Sequence, residues 1–185
     1  MNTIFLDRDG VINKDEGYVH NWDNFKFIDG SLKALQLLTK NNFNIIIVTN
    51  QAGIARGFYT EFDFQNLCSE FLKFCSQNKI KIMDTFYCPH HIDGVISKYI
   101  KSCKNRKPEP GMFYKASKLY NIKLKTCIMV GDNITDIIAS NKVGIKENYL
   151  VDDKNKNFKS DINLNFKFKT NLLAVTKEIL KNKIN

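Results

Sequence analysis

Arginine, proline and tryptophan are scarce in this 185-residue chain, which holds three, three and one of them. No run approaches the roughly 18–20 consecutive apolar residues that a membrane-spanning helix needs, so a membrane partner is not expected. The cysteines are scattered and number five, an odd count that argues against a disulfide framework and for a reducing, cytoplasmic setting. Nor does the start read as a secretory leader, because Ile4-Phe5-Leu6 leads at once into charges. The scarcity of arginine bears on the net charge of +9. Of 28 basic residues only three are arginine, the lysines form no dense block, and 22 asparagines accompany them, a joint excess that often reflects genome base composition. A nucleic-acid partner is therefore not the expectation. A positive field still favours small phosphorylated molecules. Hydrophobic residues at 43% and charged residues at 25% are ordinary for a globular chain, and the length suits one domain over 1–185, with a monomer expected.

Short apolar runs alternate with helical patterns. Thr3–Leu6 reads as a strand, Ser31–Lys40 as a helix capped by Gly30 or Ser31, and Asn44–Thr49 as a strand buried on both faces. Glu61–Asn78 reads as an amphipathic helix with Thr60 as N-cap, and Thr85–Cys88 as a short strand. An irregular stretch follows over 88–110. Gly111–Tyr120 and Thr135–Val143 read as helices around a strand at Cys127–Val130; Tyr149–Val151 is a strand and Asn171–Lys181 a closing helix. Within the Lys/Asn-rich segment 152–169 one weak strand is expected near Ile162–Leu164. This alternation predicts an α/β fold, a Rossmann-like three-layer sandwich around a mainly parallel sheet. In such sheets reactive groups gather beyond the carboxyl ends of the strands.

Four polar groups fall at that edge. Asp7-Arg8-Asp9-Gly10 follows the first strand; two carboxylates there are costly unless compensated, although Asp-x-Asp is also common in plain turns. Thr49-Asn50-Gln51 ends the second strong strand, where a hydroxyl and free N–H groups can hold phosphate oxygens or merely form a turn. Arg106-Lys107-Pro108 precedes the helix at Gly111; in a chain so rich in lysine, one lysine is most often surface. Gly131-Asp132-Asn133 follows a further strand, with Asp136 in the next helical turn as a reactive or a capping carboxylate. Each signal is modest, but their ordered placement is not.

That order resembles the haloacid dehalogenase-like phosphatase superfamily. The stretches Phe5-Leu6-Asp7-Arg8-Asp9-Gly10-Val11-Ile12-Asn13, Gly17-Tyr18-Val19-His20, Val48 to Gly57, Tyr87-Cys88-Pro89-His90-His91 and Arg106-Lys107-Pro108-x-Pro110-Gly111-Met112 resemble its heptose 1,7-bisphosphate phosphatase and histidinol-phosphate phosphatase branch, over roughly residues 3–150. The resemblance implies Asp7 as nucleophile, Asp9 as general acid and base, and Thr49 and Lys107 as stabilisers of the transferring phosphoryl group. It implies a Mg²⁺ ion on Asp7, the backbone carbonyl of Asp9, and Asp132, with Asp136 orienting Lys107 or a metal-bound water. Substrate contacts carried over are Asp15, Glu16, Gly17 and Tyr18, then Asn50, Gln51 and Ala52, then Arg106 for a distal phosphate, and Asn133, where many bacterial members carry lysine. The implied substrate is a small sugar phosphate, and the implied reaction removes the 7-phosphate of the heptose bisphosphate. Only about 40 residues separate the first motif from Thr49, so no large cap domain is expected.

The branch also implies a structural Zn²⁺ site of form Cys-x-His…Cys-x-Cys. Here it reads Cys88-Pro89-His90…Cys103-Lys104-Asn105, so three ligands are in register and Asn105 stands at the fourth. His91 or a water could complete the set, or the loop could be metal-free. Cys68, Cys75 and Cys127 sit in apolar periodic contexts and read as core. Two further functions stay open: a non-catalytic phosphate-binding protein on the same fold, and a phosphatase acting on nucleic-acid ends, for which no basic groove with stacking aromatics is evident.

Overall fold

The computed structural model describes residues 2–151 and 164–182. Six strands, β1 (Thr3–Leu6), β2 (Asn44–Asn50), β3 (Ile82–Cys88), β4 (Ile128–Gly131), β5 (Glu147–Val151) and β6 (Lys167–Lys169), form one sheet in the order β3-β2-β1-β4-β5-β6. Every pairing is parallel. The helices are α1 (Ser31–Lys40), α2 (Ala52–Ala55), α3 (Glu61–Gln77), α4 (Gly111–Tyr120), α5 (Ile134–Lys142) and α6 (Leu172–Asn182).

The period-2 alternation of the buried strands divides the core between two faces. Ile4, Leu6, Ile45, Ile47 and Val130 point to one side, where they meet Leu35 and Leu38 of α1, Leu67 and Phe71 of α3 and Val175 of α6. Phe5, Ile46, Val48 and Met129 point to the other, against Met112 and Phe113 of α4 and Ala139 of α5. Each such large side chain stabilises the fold by about 1.5–3 kcal/mol relative to exposure. The result is the expected three-layer arrangement, a Rossmann-like parallel sheet covered on both faces.

Local signals explain the element starts. Thr60 caps α3 by accepting from Asp63 N at 3.1 Å, and the Asp63 carboxylate answers by accepting from Thr60 N at 2.8 Å. Gly30, at φ 83°, begins α1 without a side-chain cap, and Ser31 instead donates its hydroxyl to Ile12 O at 2.8 Å. Strand β3 begins three residues before the expected Thr85, because Ile82 and Asp84 pair with β2 on either side of a bulge rather than through an apolar run. Most of the weak strand expected at Ile162–Leu164 lies outside the described residues. A strand stands instead at β6, whose Lys-Phe-Lys has no apolar run because it is an edge. Lys167 and Lys169 both pair with Glu178 of α6. No described helix is long and apolar enough to cross a membrane.

Candidate active site

The chain leaves β1 toward β2 on one side and returns to β4 on the other, which opens a crevice beyond the carboxyl end of β1. Asp7 is the first residue past β1, and its N–H donates to Val130 O at 2.9 Å, which fixes it beside the end of β4 and thus beside Asp132. Gly10 makes the close approach possible. It turns at φ 78°, and a Cβ there would overlap the Asp132 carboxylate, so any side chain would displace that group. Asp7, Asp132 and Asp136 each bring a carboxylate oxygen within 4.8 Å of the others.

Lys107 enters this acidic group from the opposite loop. Its buried ammonium lies 3.0 Å from Asp7 Oδ2 and 2.5 Å from Asp136 Oδ1, and donates to Val48 O at 2.7 Å. Asn50 fixes the loop that carries it: Asn50 Nδ2 donates to Lys107 O and Lys107 N donates to Asn50 Oδ1, both at 3.0 Å. Asp136 is in turn held by Asn133, whose N–H donates to Asp136 Oδ2 at 3.0 Å while its own side chain accepts from Thr135 N. Asp136 therefore faces Lys107 with one oxygen while the other is held at the start of α5.

One lysine does not balance three carboxylates in a buried place. Burial and the neighbouring Asp136 and Asp9 outweigh Lys107 and push Asp7 up to about 7. Burial, with Asp7 and Asp136 beside it, pushes Asp132 up to about 8. Burial opposes the charge on Lys107, but Asp136 and Asp7 overcome it and hold the ammonium at about 12. A cluster of hard oxygen donors with surplus negative charge is the donor set that suits Mg²⁺.

Asp9 is held differently. Its carboxylate accepts from Arg8 at 2.9 Å, from Asn13 Nδ2 at 2.9 Å and from Gln51 Nε2 at 3.0 Å. Gln51 also donates to Thr49 Oγ1 at 2.8 Å and accepts from Tyr59 at 2.5 Å. Arg8 is buried against the ring of Phe64 and donates to Val19 O at 2.7 Å, so it is a fixed brace rather than a surface cation.

These groups share one cavity of about 610 Å³. Of the residues named from the sequence, Asp7, Asp9, Asp15, Gly17, Tyr18, Thr49, Asn50, Gln51, Ala52, Arg106, Lys107, Asp132 and Asn133 line it. Glu16 does not: its carboxylate turns outward to an exposed ion pair with Lys26 at 2.9 Å. Arg56 and Tyr59 also line the cavity. Sequence reasoning gave them no role, although Arg56 stands in the stretch after Thr49 and is one of only three arginines.

A second cluster lies at the end of β3. Cys88, His90 and Cys103 bring ligand atoms within 4.8 Å of one another. Burial pushes the Cys88 thiol up to about 12. His91 does not turn into this group; its Nδ1 accepts from Asp93 N at 3.0 Å and its Nε2 faces Arg56. Asn105 lies against Gly111.

An acidic cluster around a buried lysine, at the carboxyl edge of a parallel sheet, is where an α/β enzyme places its reactive groups. The model of the haloacid dehalogenase-like hydrolase family matches residues 2–144, and the chain belongs to that family. It is 41% identical over 151 residues to the D-glycero-alpha-D-manno-heptose-1,7-bisphosphate 7-phosphatase of Photorhabdus laumondii, covering 82% of each chain. It is 44% identical over 148 residues to the D-glycero-beta-D-manno-heptose-1,7-bisphosphate 7-phosphatase of Pasteurella multocida, covering 80% of each. The solved D,D-heptose 1,7-bisphosphate phosphatase of B. bronchiseptica, complexed with magnesium and phosphate, superposes with a TM-score of 0.84 at 27% identity, over 98% of this chain and 99% of that one.

Proposed function

We propose that this chain is a magnesium-dependent phosphatase that removes the 7-phosphate of D-glycero-D-manno-heptose 1,7-bisphosphate in the cytoplasm. The observation that carries the reading is one cavity that holds the Asp7–Lys107–Asp136 cluster together with Arg106. The first can act on a phosphate ester, and the second can receive an anion. Relatives named for the α and the β anomer match with nearly equal identity, so the reading covers the heptose bisphosphate and not one anomer.

In this mechanism an oxygen of Asp7 attacks phosphorus, and the ester P–O bond breaks to leave an aspartyl-phosphate. Asp9 donates a proton to the departing alcohol oxygen, for which it must leave part of its clasp with Arg8, Asn13 and Gln51. Asp9 then takes a proton from the water that attacks the aspartyl-phosphate, releasing inorganic phosphate and restoring Asp7. Thr49 and Lys107 stabilise the equatorial oxygens in transit, where the protein's work is positioning and electrostatics. Asp7, the backbone carbonyl of Asp9, and Asp132 would hold the magnesium, which supplies the positive charge that lets a phosphate dianion approach a carboxylate.

A phosphate-release screen tests the assignment. The heptose bisphosphate should give the highest kcat/KM among heptose bisphosphate, histidinol phosphate and simple sugar monophosphates. A preference for histidinol phosphate, whose far end is a cation that Arg106 would repel, would overturn it.

The raised carboxylates make metal binding pH-dependent. Below about pH 7–8 the ion must displace protons from Asp7 and Asp132. Affinity for Mg²⁺ should therefore rise with pH through that window, by about tenfold per pH unit for each proton displaced. Calorimetric titrations at pH 6 and pH 8 should show this, and equal affinities at the two would contradict it.

The convergence of Cys88, His90 and Cys103 favours a second metal. We propose a zinc ion on these three that ties the end of β3 to the loop before α4, with Asn105 or water in the remaining position. Metal analysis of the purified protein should give about one equivalent, and Cys103→Ser should remove it. Metal-free protein with unchanged activity and thermal midpoint would dismiss the site.

A further inference from the structure

Among the described residues, two of the three arginines are left without a carboxylate. Arg8 is spent on Asp9 at 2.9 Å. Among the described residues Arg56 and Arg106 form no ion pair, yet both are half-buried on the wall of the cavity that holds Asp7. Two adjacent guanidiniums repel each other, and withdrawal from water adds to the cost.

Arg56 is held in place by neutral groups. One of its nitrogens, Nη1, donates to the Tyr18 hydroxyl, and the Tyr18 ring stacks on Phe58 at 4.3 Å. Its Nη2 lies 3.4 Å from His91 Nε2. That contact is not a good hydrogen bond. His91 Nδ1 already accepts from the Asp93 N–H at 3.0 Å, so in the neutral ring the proton sits on Nε2 and faces another donor. Arg106 has a single long contact, from Nη1 to His90 O at 3.5 Å. The two side chains thus present spare N–H donors to one space, and no carboxylate among the described residues takes them up.

We propose that Arg56 is a specificity-determining residue that, with Arg106, clamps a phosphate at the end of the substrate remote from the reacting ester. The proposal deepens the reading of the site as a sugar-bisphosphate phosphatase and rests on it. Tyr18, braced by Phe58, acts as a positioning residue for Arg56. Two guanidiniums approach a phosphate from different directions, whereas one alone leaves oxygens to water, so the pair selects for a second phosphate rather than a neutral or cationic far end.

The test is steady-state kinetics on heptose 1,7-bisphosphate and on heptose 7-phosphate, which lacks the distal group. For Arg56→Met the ratio of kcat/KM between the two should fall by at least about tenfold, through a raised KM for the bisphosphate. Arg56→Lys should recover part of the ratio, because it restores the charge without the fork. Tyr18→Phe, which keeps the ring on Phe58, should move the ratio the same way by a smaller factor. An unchanged ratio in Arg56→Met, or an equal loss on both substrates, would overturn the proposal. Wild-type enzyme that ignores the heptose compound but prefers another sugar bisphosphate to its monophosphate would sink the substrate assignment. The clamp would survive that result if Arg56→Met still erased the preference. A wild-type preference insensitive to Arg56 would do the reverse.

Discussion

Asp7→Asn should lower phosphate release by about 10⁴-fold or more while leaving the fold intact. An amide oxygen is too poor a nucleophile to displace an alkoxide from phosphorus, and no described carboxylate can take its place. Asp9 is clasped by Arg8, Asn13 and Gln51, Asp136 is held by Lys107 and the N-terminus of α5, and Asp132 stands across the cluster. The fold should survive because asparagine keeps the shape and can still accept from Arg8 N, which donates to Asp7 Oδ1 at 2.7 Å. The same variant carries a second signature. Native Asp7 titrates at about 7, against an ordinary 3.8, so between those values the folded state holds the proton that the unfolded chain has lost. Stability contributed by the wild-type side chain therefore falls as pH rises from about 4 to 7. The amide of the variant does not titrate, so without added metal its thermal midpoint should gain on wild type as pH rises through that range. Turnover within tenfold of wild type would remove Asp7 as the nucleophile. A midpoint difference flat in pH would mean that Asp7 is ionised throughout, with Lys107 rather than burial setting its charge.

How far such a site can be read from sequence depends on whether a residue acts through the strand edge or through folding of a loop. Asp7, Thr49 and Asp132 follow apolar runs, and a parallel sheet carries whatever follows its strands to one edge, so their meeting was legible once the strands were. The family resemblance added Lys107, which no local pattern distinguishes from the other lysines. Glu16 shows the limit: it sits between Asp15 and Gly17, which line the cavity, yet a one-residue change in direction sends its side chain to Lys26. Arg56 shows the reverse limit. Nothing in Ala55-Arg56-Gly57 reveals that Tyr18 and His91 reach it from segments far away in the chain. Strand β6 was illegible for another reason. An edge strand with lysines at both ends needs no apolar run, since its pairing to β5 and the Glu178 ion pairs replace burial.

Lys107→Met should injure both stability and catalysis, and the pH dependence separates the two. The ammonium is the single cation in contact with Asp7 and Asp136 among the described residues, and its side chain is only 1% exposed. Removing one partner of a buried ionic group costs about 3–5 kcal/mol when the remaining charges cannot adjust. These carboxylates can adjust by taking up protons. Burial already raises Asp7 and Asp132, and loss of the cation that opposes it would raise them further. The folded variant would then bind more protons than the unfolded chain over a wider range, so its stability should fall more steeply as pH rises. Denaturant unfolding should show a small deficit near pH 5 that grows to about 3 kcal/mol near pH 8. Turnover should fall by about 10²–10³-fold with a lesser change in KM, the loss expected when a donor to the transferring phosphoryl oxygens is removed. Lys107→Arg should not restore it, because a planar guanidinium cannot aim three donors at Val48 O, Asp7 and Asp136 at once. Introducing Asp136→Asn first should reduce the stability cost of Lys107→Met, since one of the stranded carboxylates is then gone. If Lys107→Met unfolds like wild type at every pH, the ammonium does not neutralise this cluster, and the electrostatic account of the site fails with it.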